Sequence, residues 1–203
     1  MAKLYFRYGA MNSGKTTALM QVAYNYKERG MRVLILKPAV DTKGQDCIVS
    51  RLGISCKVDM LVTPEMDVVE LVRRDAAAHG APACILCDES QFFTPEQAEQ
   101  LFRVTVDLSI PVICYGLRAD FMMRGFPGST RLLELAHTIE ELKTICACGR
   151  KAICNGRKVN GEYVFEGAQV AIDTVDDVQY QSLCPQCWYR EYRAFLARHP
   201  KAE

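Results

Sequence analysis

The stretch Gly9-Ala10-Met11-Asn12-Ser13-Gly14-Lys15-Thr16 has the spacing GxxxxGK[ST], and the chemistry of that spacing is phosphate binding. Its glycines let the backbone curl until successive N–H groups face inward, and the helix that follows adds partial positive charge at its N-terminus. Lys15 then reaches the outer phosphates of a nucleoside triphosphate, and the Thr16 hydroxyl is offered to magnesium. A second group of oxygen donors, Asp88-Glu89, directly follows the apolar run Cys84-Ile85-Leu86-Cys87. Asp88 suits the magnesium shell, and Glu89 suits acceptance of a proton from an attacking hydroxyl or water. The pair alone does not identify the acceptor, because a base beside the magnesium acid also serves ATP hydrolysis.

Sulfur supplies the third constellation. Cys184-Pro185-Gln186-Cys187 has the two-residue gap that turns both thiolates toward one ion, and Cys146-Ala147-Cys148 supplies a second pair. Together they make a four-cysteine set for structural zinc with no open coordination position. Cys154 stands as an alternative member. Cys47, Cys56, Cys84, Cys87 and Cys114 sit alone or among apolar residues and read as small hydrophobic side chains.

These groups need a scaffold that presents them together. Apolar runs at Leu4 to Tyr8, Val33 to Leu36, Cys84 to Cys87 and Pro111 to Tyr115 alternate with helical patterns through the first 140 or so residues. This alternation predicts an α/β fold of the P-loop NTPase type, a mostly parallel sheet flanked by helices, with ligands at the C-terminal strand ends. Leu19, Val22, Ala23 and Tyr26 define a helix stopped at Gly30, and Thr63-Pro64 and Thr94-Pro95 are expected helix starts, the second completed by Gln97 as a capping box. After about Lys143 the texture shifts to cysteines, glycines and short alternating segments, with Asn160-Gly161 as a hairpin turn. Two domains are expected, 1–143 for nucleotide and 144–203 for zinc, the latter ending in a helix packed through Trp188, Tyr192 and Phe195.

Composition excludes several classes. The 203 residues carry a formal charge of +1 and no basic, aromatic-interleaved stretch, so neither nucleic acid nor an anionic membrane is an expected partner. No apolar run is long enough to span a bilayer, and the first residues lack a signal-peptide core, which predicts a cytoplasmic protein. Ten cysteines there indicate thiols and metal rather than disulfides.

Taken together, the chain resembles the type II, zinc-containing thymidine kinases, bacterial members most closely. The likeness runs nearly end to end, through Tyr8 to Thr17, Asp88 to Phe93, Cys114 to Phe121, Glu141 to Cys146 and Tyr180 to Cys184. It implies ATP- and magnesium-dependent phosphorylation of the 5'-hydroxyl of thymidine or deoxyuridine, with Glu89 as proton acceptor. It also implies nucleotide contacts along Asp88, Glu89, Ser90 and Gln91, feedback by the end-product triphosphate, and a homotetramer. The base is expected among Met11, Phe92, Leu117, Phe121, Phe126 and Tyr180, under a lasso-like loop from about Ala168 to Tyr180. Two departures stand out. The family's Asp-x-Arg reads Asp41-Thr42-Lys43, which shifts phosphate stabilisation to a point charge or to Arg51. The lasso's usual glycine pair is missing from Ile172 to Asp177. The competing expectations are a zinc-ribbon, nucleic-acid-dependent P-loop ATPase and a nucleotide sensor without catalysis.

Overall fold

The computed structural model describes residues 1–40, 47–50, 53–169 and 177–200. They form two compact units that interleave along the chain. The first comprises Met1–Tyr8, Gly14–Arg118 and Phe126–Glu141; the second comprises Gly9–Ser13, Ala119–Gly125 and Leu142–Glu203. Asp41-Thr42-Lys43, Arg51 and Ile172 to Asp176 lie outside the described residues.

The first unit runs β1 (Leu4–Tyr8), α1 (Lys15–Glu28), β2 (Val33–Pro38), β3 (Cys47–Val49), β4 (Ser55–Lys57), β5 (Met60–Val62), α2 (Val68–His79), β6 (Cys84–Cys87), α3 (Pro95–Asp107), β7 (Val112–Gly116), α4 (Pro127–Leu135) and β8 (Thr138–Glu141). Its main sheet has the order β5-β2-β6-β7-β1-β8, and every pairing in it is parallel. Strands β2, β6 and β7 are buried throughout, which is why they read as continuous apolar runs rather than as alternation. From β1 the chain crosses to β2 in one direction along the sheet, then returns from β5 through β6, β7 and on to β8. Right-handed crossovers therefore put α1 on one face and α2, α3 and α4 on the other. The latter three pack successively on one another, over a core that includes Phe6, Leu36, Val72, Leu101 and Leu132.

Helix α3 begins as expected. The Thr94 hydroxyl accepts the Gln97 N–H at 3.1 Å, and the Gln97 side chain accepts the Thr94 N–H at 3.2 Å. Thr63-Pro64 does not start a helix. Helix α2 starts at Val68, where the buried pair Val68-Val69 first faces the core, and Asp67 caps it by accepting the Glu70 N–H at 3.0 Å. Thr63 instead closes a turn with Met66. Both of its ends are claimed by Gln97, whose amide donates to the Thr63 and Met66 carbonyls at 2.7 and 3.2 Å. Because Gln97 makes three bonds from a buried position, Gln97→Ala should lower the unfolding free energy by roughly 2–3 kcal/mol. Urea denaturation checks this, and a loss below about 0.5 kcal/mol would contradict it.

The second unit contains β9 (Thr144–Ile145), β10 (Lys151–Ala152), β11 (Cys154–Val159), β12 (Glu162–Val164), β13 (Val178–Leu183) and α5 (Pro185–Arg198). Strands β12, β11 and β13 form an antiparallel sheet. Val159 pairs with Glu162 across Asn160-Gly161, both with positive φ, as a two-residue hairpin requires. Phe165 packs edge-on against Trp188, Tyr192 and Phe195 of α5. No helix among the described residues is long and apolar enough to cross a membrane.

Candidate functional site

Three strand ends of the first unit bring the predicted residues to one edge. Strand β7 lies between β1 and β6, with Cys114 paired to Phe6 on one side and to Cys87 on the other. Cys87 is therefore level with Phe6, and Asp88 and Glu89 leave the sheet at the height of Arg7 and Tyr8. All three strands are parallel, so the carboxylates and the start of the GxxxxGK[ST] loop emerge from the same C-terminal edge. Two strand spacings separate them, about 10 Å.

At the far end of the loop, Gly14 adopts φ 78° and hands over to α1, whose first residues are Lys15 and Thr16. Gly14 is in the left-handed region, where a side chain would add strain. Within the second unit, Gly9 to Ser13 folds back on itself, the Ser13 N–H donating to the Ala10 carbonyl at 3.3 Å. Gly9 lies so close to the Leu142 carbonyl that a Cβ would sit 2.5 Å from that oxygen.

Asp88 is buried and donates its backbone N–H to Leu36 at 3.0 Å. Glu89 is half-buried and holds φ 45°, ψ 39°, a left-handed conformation uncommon outside glycine, asparagine and aspartate. Such backbones persist where their surroundings over-determine them, and functional sites are where they cluster. Here the surroundings are identifiable. The Gln91 amide nitrogen donates to Glu89 Oε2 at 2.5 Å, while Gln91 Oε1 accepts the Leu117 N–H at 3.0 Å. The Ser90 hydroxyl donates to the Tyr115 carbonyl at 2.8 Å. Gly116 leaves room for this arrangement, since a Cβ there would stand 2.6 Å from Ser90 Oγ. Ser90 and Gln91, expected beside the nucleotide, thus use these side-chain groups to fasten Glu89 to the end of β7. Behind them, burial raises the Cys84 thiol to about 11 and pushes Cys87 well up as well, so both stay neutral and inert.

The six residues expected around a base divide between the units. In the first, Phe92 meets Phe126 edge-on at 5.7 Å, and Leu117 is tied to Glu89 through Gln91. Phe92 is half-buried, whereas Leu117 and Phe126 are buried. In the second unit, Phe121 is 1% exposed beneath the Arg157 guanidinium, which stands 3.7 Å from its ring centre. Met11 and Tyr180 are half-buried.

The four sulfurs of Cys146, Cys148, Cys184 and Cys187 lie within 4.8 Å of one another. A tetrahedral ion with sulfurs at about 2.3 Å needs them about 3.8 Å apart, so the quartet fits zinc in donor type and spacing. Cys184 also caps α5, its sulfur accepting the Cys187 N–H at 3.5 Å; that bond holds its thiol down to about 6. Cys154 is not a member. Its sulfur faces that of Met123 at 3.5 Å.

Residues that the sequence reading did not single out complete the loop's surroundings. The Met11 N–H donates to Asn155 Oδ1 at 2.8 Å, the Ser182 hydroxyl donates to the Met11 carbonyl, and the Thr144 hydroxyl donates to the Asn12 carbonyl at 3.3 Å. Asn155 and Ser182 stand out only once the fold shows them as buried polar residues in strands.

Comparison with known proteins gives consistent results. A family model described as thymidine kinase matches residues 2–188. The thymidine kinase of Ruegeria pomeroyi is 47% identical over 190 residues, covering 93% of this chain and 94% of that protein. That of Enterobacteria phage T4 is 45% identical over 190 residues, covering 93% and 96%. That of Chromobacterium violaceum is 44% identical over 193 residues, covering 94% and 100%.

Proposed function

We infer the residues' roles from two observations: the chain belongs to the thymidine kinase family, and the Gly9 to Thr16 stretch begins at the same sheet edge at which the constrained Glu89 stands. The enzyme uses ATP to phosphorylate thymidine. The observation that carries the assignment of roles is the shared C-terminal edge of β1, β7 and β6. In-line transfer needs the triphosphate and the acceptor's base to converge, and the level strand ends support reading this edge as the place where they meet.

The inward N–H groups of the loop and the Lys15 ammonium hold the triphosphate chain, with the γ-phosphoryl group directed toward the end of β6. Thr16 and Asp88 offer the hard oxygen donors that magnesium prefers; when bound, the ion neutralises charge on the β- and γ-phosphates. Glu89 accepts the proton of the 5'-hydroxyl as that oxygen attacks phosphorus. Gln91 keeps the carboxylate aimed, and its tether to Leu117 carries that aim to β7. Phe92, Leu117 and Phe126 give an apolar wall suited to a flat pyrimidine. The four cysteines hold zinc as a crosslink that ties β9, β13 and α5 together. The relatives favour this reading over a nucleic-acid-dependent ATPase.

Incubation with γ-labelled ATP and a nucleoside panel tests the reading. Label should pass to thymidine and deoxyuridine in the presence of magnesium, and 5'-deoxythymidine should accept none. ATP hydrolysis stimulated by DNA and indifferent to thymidine would overturn it.

A further inference from the structure

The phosphate loop has an outer clamp. Met11 is held at both of its backbone polar groups, its N–H by Asn155 Oδ1 at 2.8 Å and its carbonyl by the Ser182 hydroxyl. The next residue, Asn12, stands at φ 64°, a left-handed conformation that costs on the order of 1–3 kcal/mol and needs enforcement. Its carbonyl accepts the Thr144 hydroxyl at 3.3 Å. Asn155 and Ser182 are cross-strand partners on β11 and β13, so the two grips on Met11 are set by a single sheet register. Both residues are buried, at 5% and 6% exposure. Asn155 is fixed from its other end as well, its amide nitrogen donating to the Ala119 carbonyl at 2.9 Å.

Two physical consequences follow. Phosphate binding by backbone amides depends on where the N–H groups point, and a peptide gripped at both sides of Met11 leaves little freedom to the turn that runs into Gly14. The Met11 N–H is also spent on Asn155, which withdraws it from the phosphate-facing set and sharpens the roles of the amides that remain. We propose that Asn155 and Ser182 are positioning residues for nucleotide binding: by clamping Met11 they hold the Gly9–Thr16 loop in its phosphate-receptive curl before nucleotide arrives. The clamp residues lie close in sequence to the cysteine quartet, with Ser182 two residues before Cys184 and Thr144 two before Cys146. The proposal rests on Gly9 to Thr16 being the phosphate loop.

The test is calorimetric titration of ADP into full-length Asn155→Ala, Ser182→Ala, Ser182→Thr and Lys15→Ala proteins, with melting temperature measured on the same samples. Loss of either grip should raise the ADP Kd about tenfold, the weight of one well-placed hydrogen bond. Ser182→Thr, which keeps the hydroxyl, should recover most of the lost affinity. A merely structural role would lower the melting temperature and leave the ADP Kd of the folded protein unchanged. If Asn155→Ala does not fold, the serine pair decides alone. The proposal is overturned if the folded alanine variants bind ADP as the unaltered enzyme does while Lys15→Ala binds it poorly. Undiminished ADP binding by Lys15→Ala would remove the phosphate-loop assignment itself, and the clamp's role with it.

Discussion

Glu89→Gln lowers kcat by about a thousandfold and leaves the ADP Kd within about twofold of its original value, the signature of a lost proton acceptor. The substitution keeps size and shape. It removes the negative charge that takes up the proton, and it sets an amide opposite the Gln91 amide nitrogen that now lies 2.5 Å from Glu89 Oε2. Nucleotide binding survives because the loop amides follow β1, two strands away from β6 in the sheet, and Lys15 opens α1. Steady-state kinetics beside ADP titration checks both halves. A kcat within about tenfold of the original would take the acceptor role from Glu89.

Cys184→Ser removes bound zinc and lowers the melting temperature by about 10 °C or more. Serine oxygen accepts hydrogen bonds well at a helix N-cap, so the cap now made by Cys184 toward the Cys187 N–H survives and the deficit isolates the metal. Structural zinc contributes about 10–16 kcal/mol of apparent binding free energy in small domains. Loss of even a few kcal/mol is worth about 2–4 °C each in a chain of this size. Thermal melts paired with elemental analysis read the two effects together. Full zinc occupancy with an unchanged melting temperature would show that this sulfur is no ligand.

The fold was legible where burial is symmetric. Strand β6 spans the predicted run Cys84–Cys87 because a central parallel strand has no polar face to break its pattern, and β1 spans Leu4–Tyr8 through its buried Leu4 and Phe6. The Thr94 box and the Asn160-Gly161 turn were legible because their chemistry is local, complete within four residues. Thr63 misled for the same reason. Its local chemistry suits a cap, but Gln97, thirty-four positions away, claims its carbonyl. Strand β8 escaped notice because Thr138 to Glu140 are exposed and carry no apolar signature. At the site, the clustering of the four cysteines was legible from their spacing, since a paired-cysteine motif encodes its own geometry. The long-range bonds were illegible. That Asn155 and Ser182 grip Met11 depends on contacts 144 and 171 positions apart, and no periodicity announces a polar side chain whose partner is a distant backbone.

The most direct measurement is a crystal structure with thymidine and a non-hydrolysable ATP analogue bound together. Glu89 should lie within about 3.2 Å of the 5'-oxygen, with that oxygen in line behind the γ-phosphorus and the phosphates cradled from Gly9 to Thr16. A 5'-hydroxyl turned away from Glu89, or a nucleoside seated off the edge formed by β1, β7 and β6, would contradict the account.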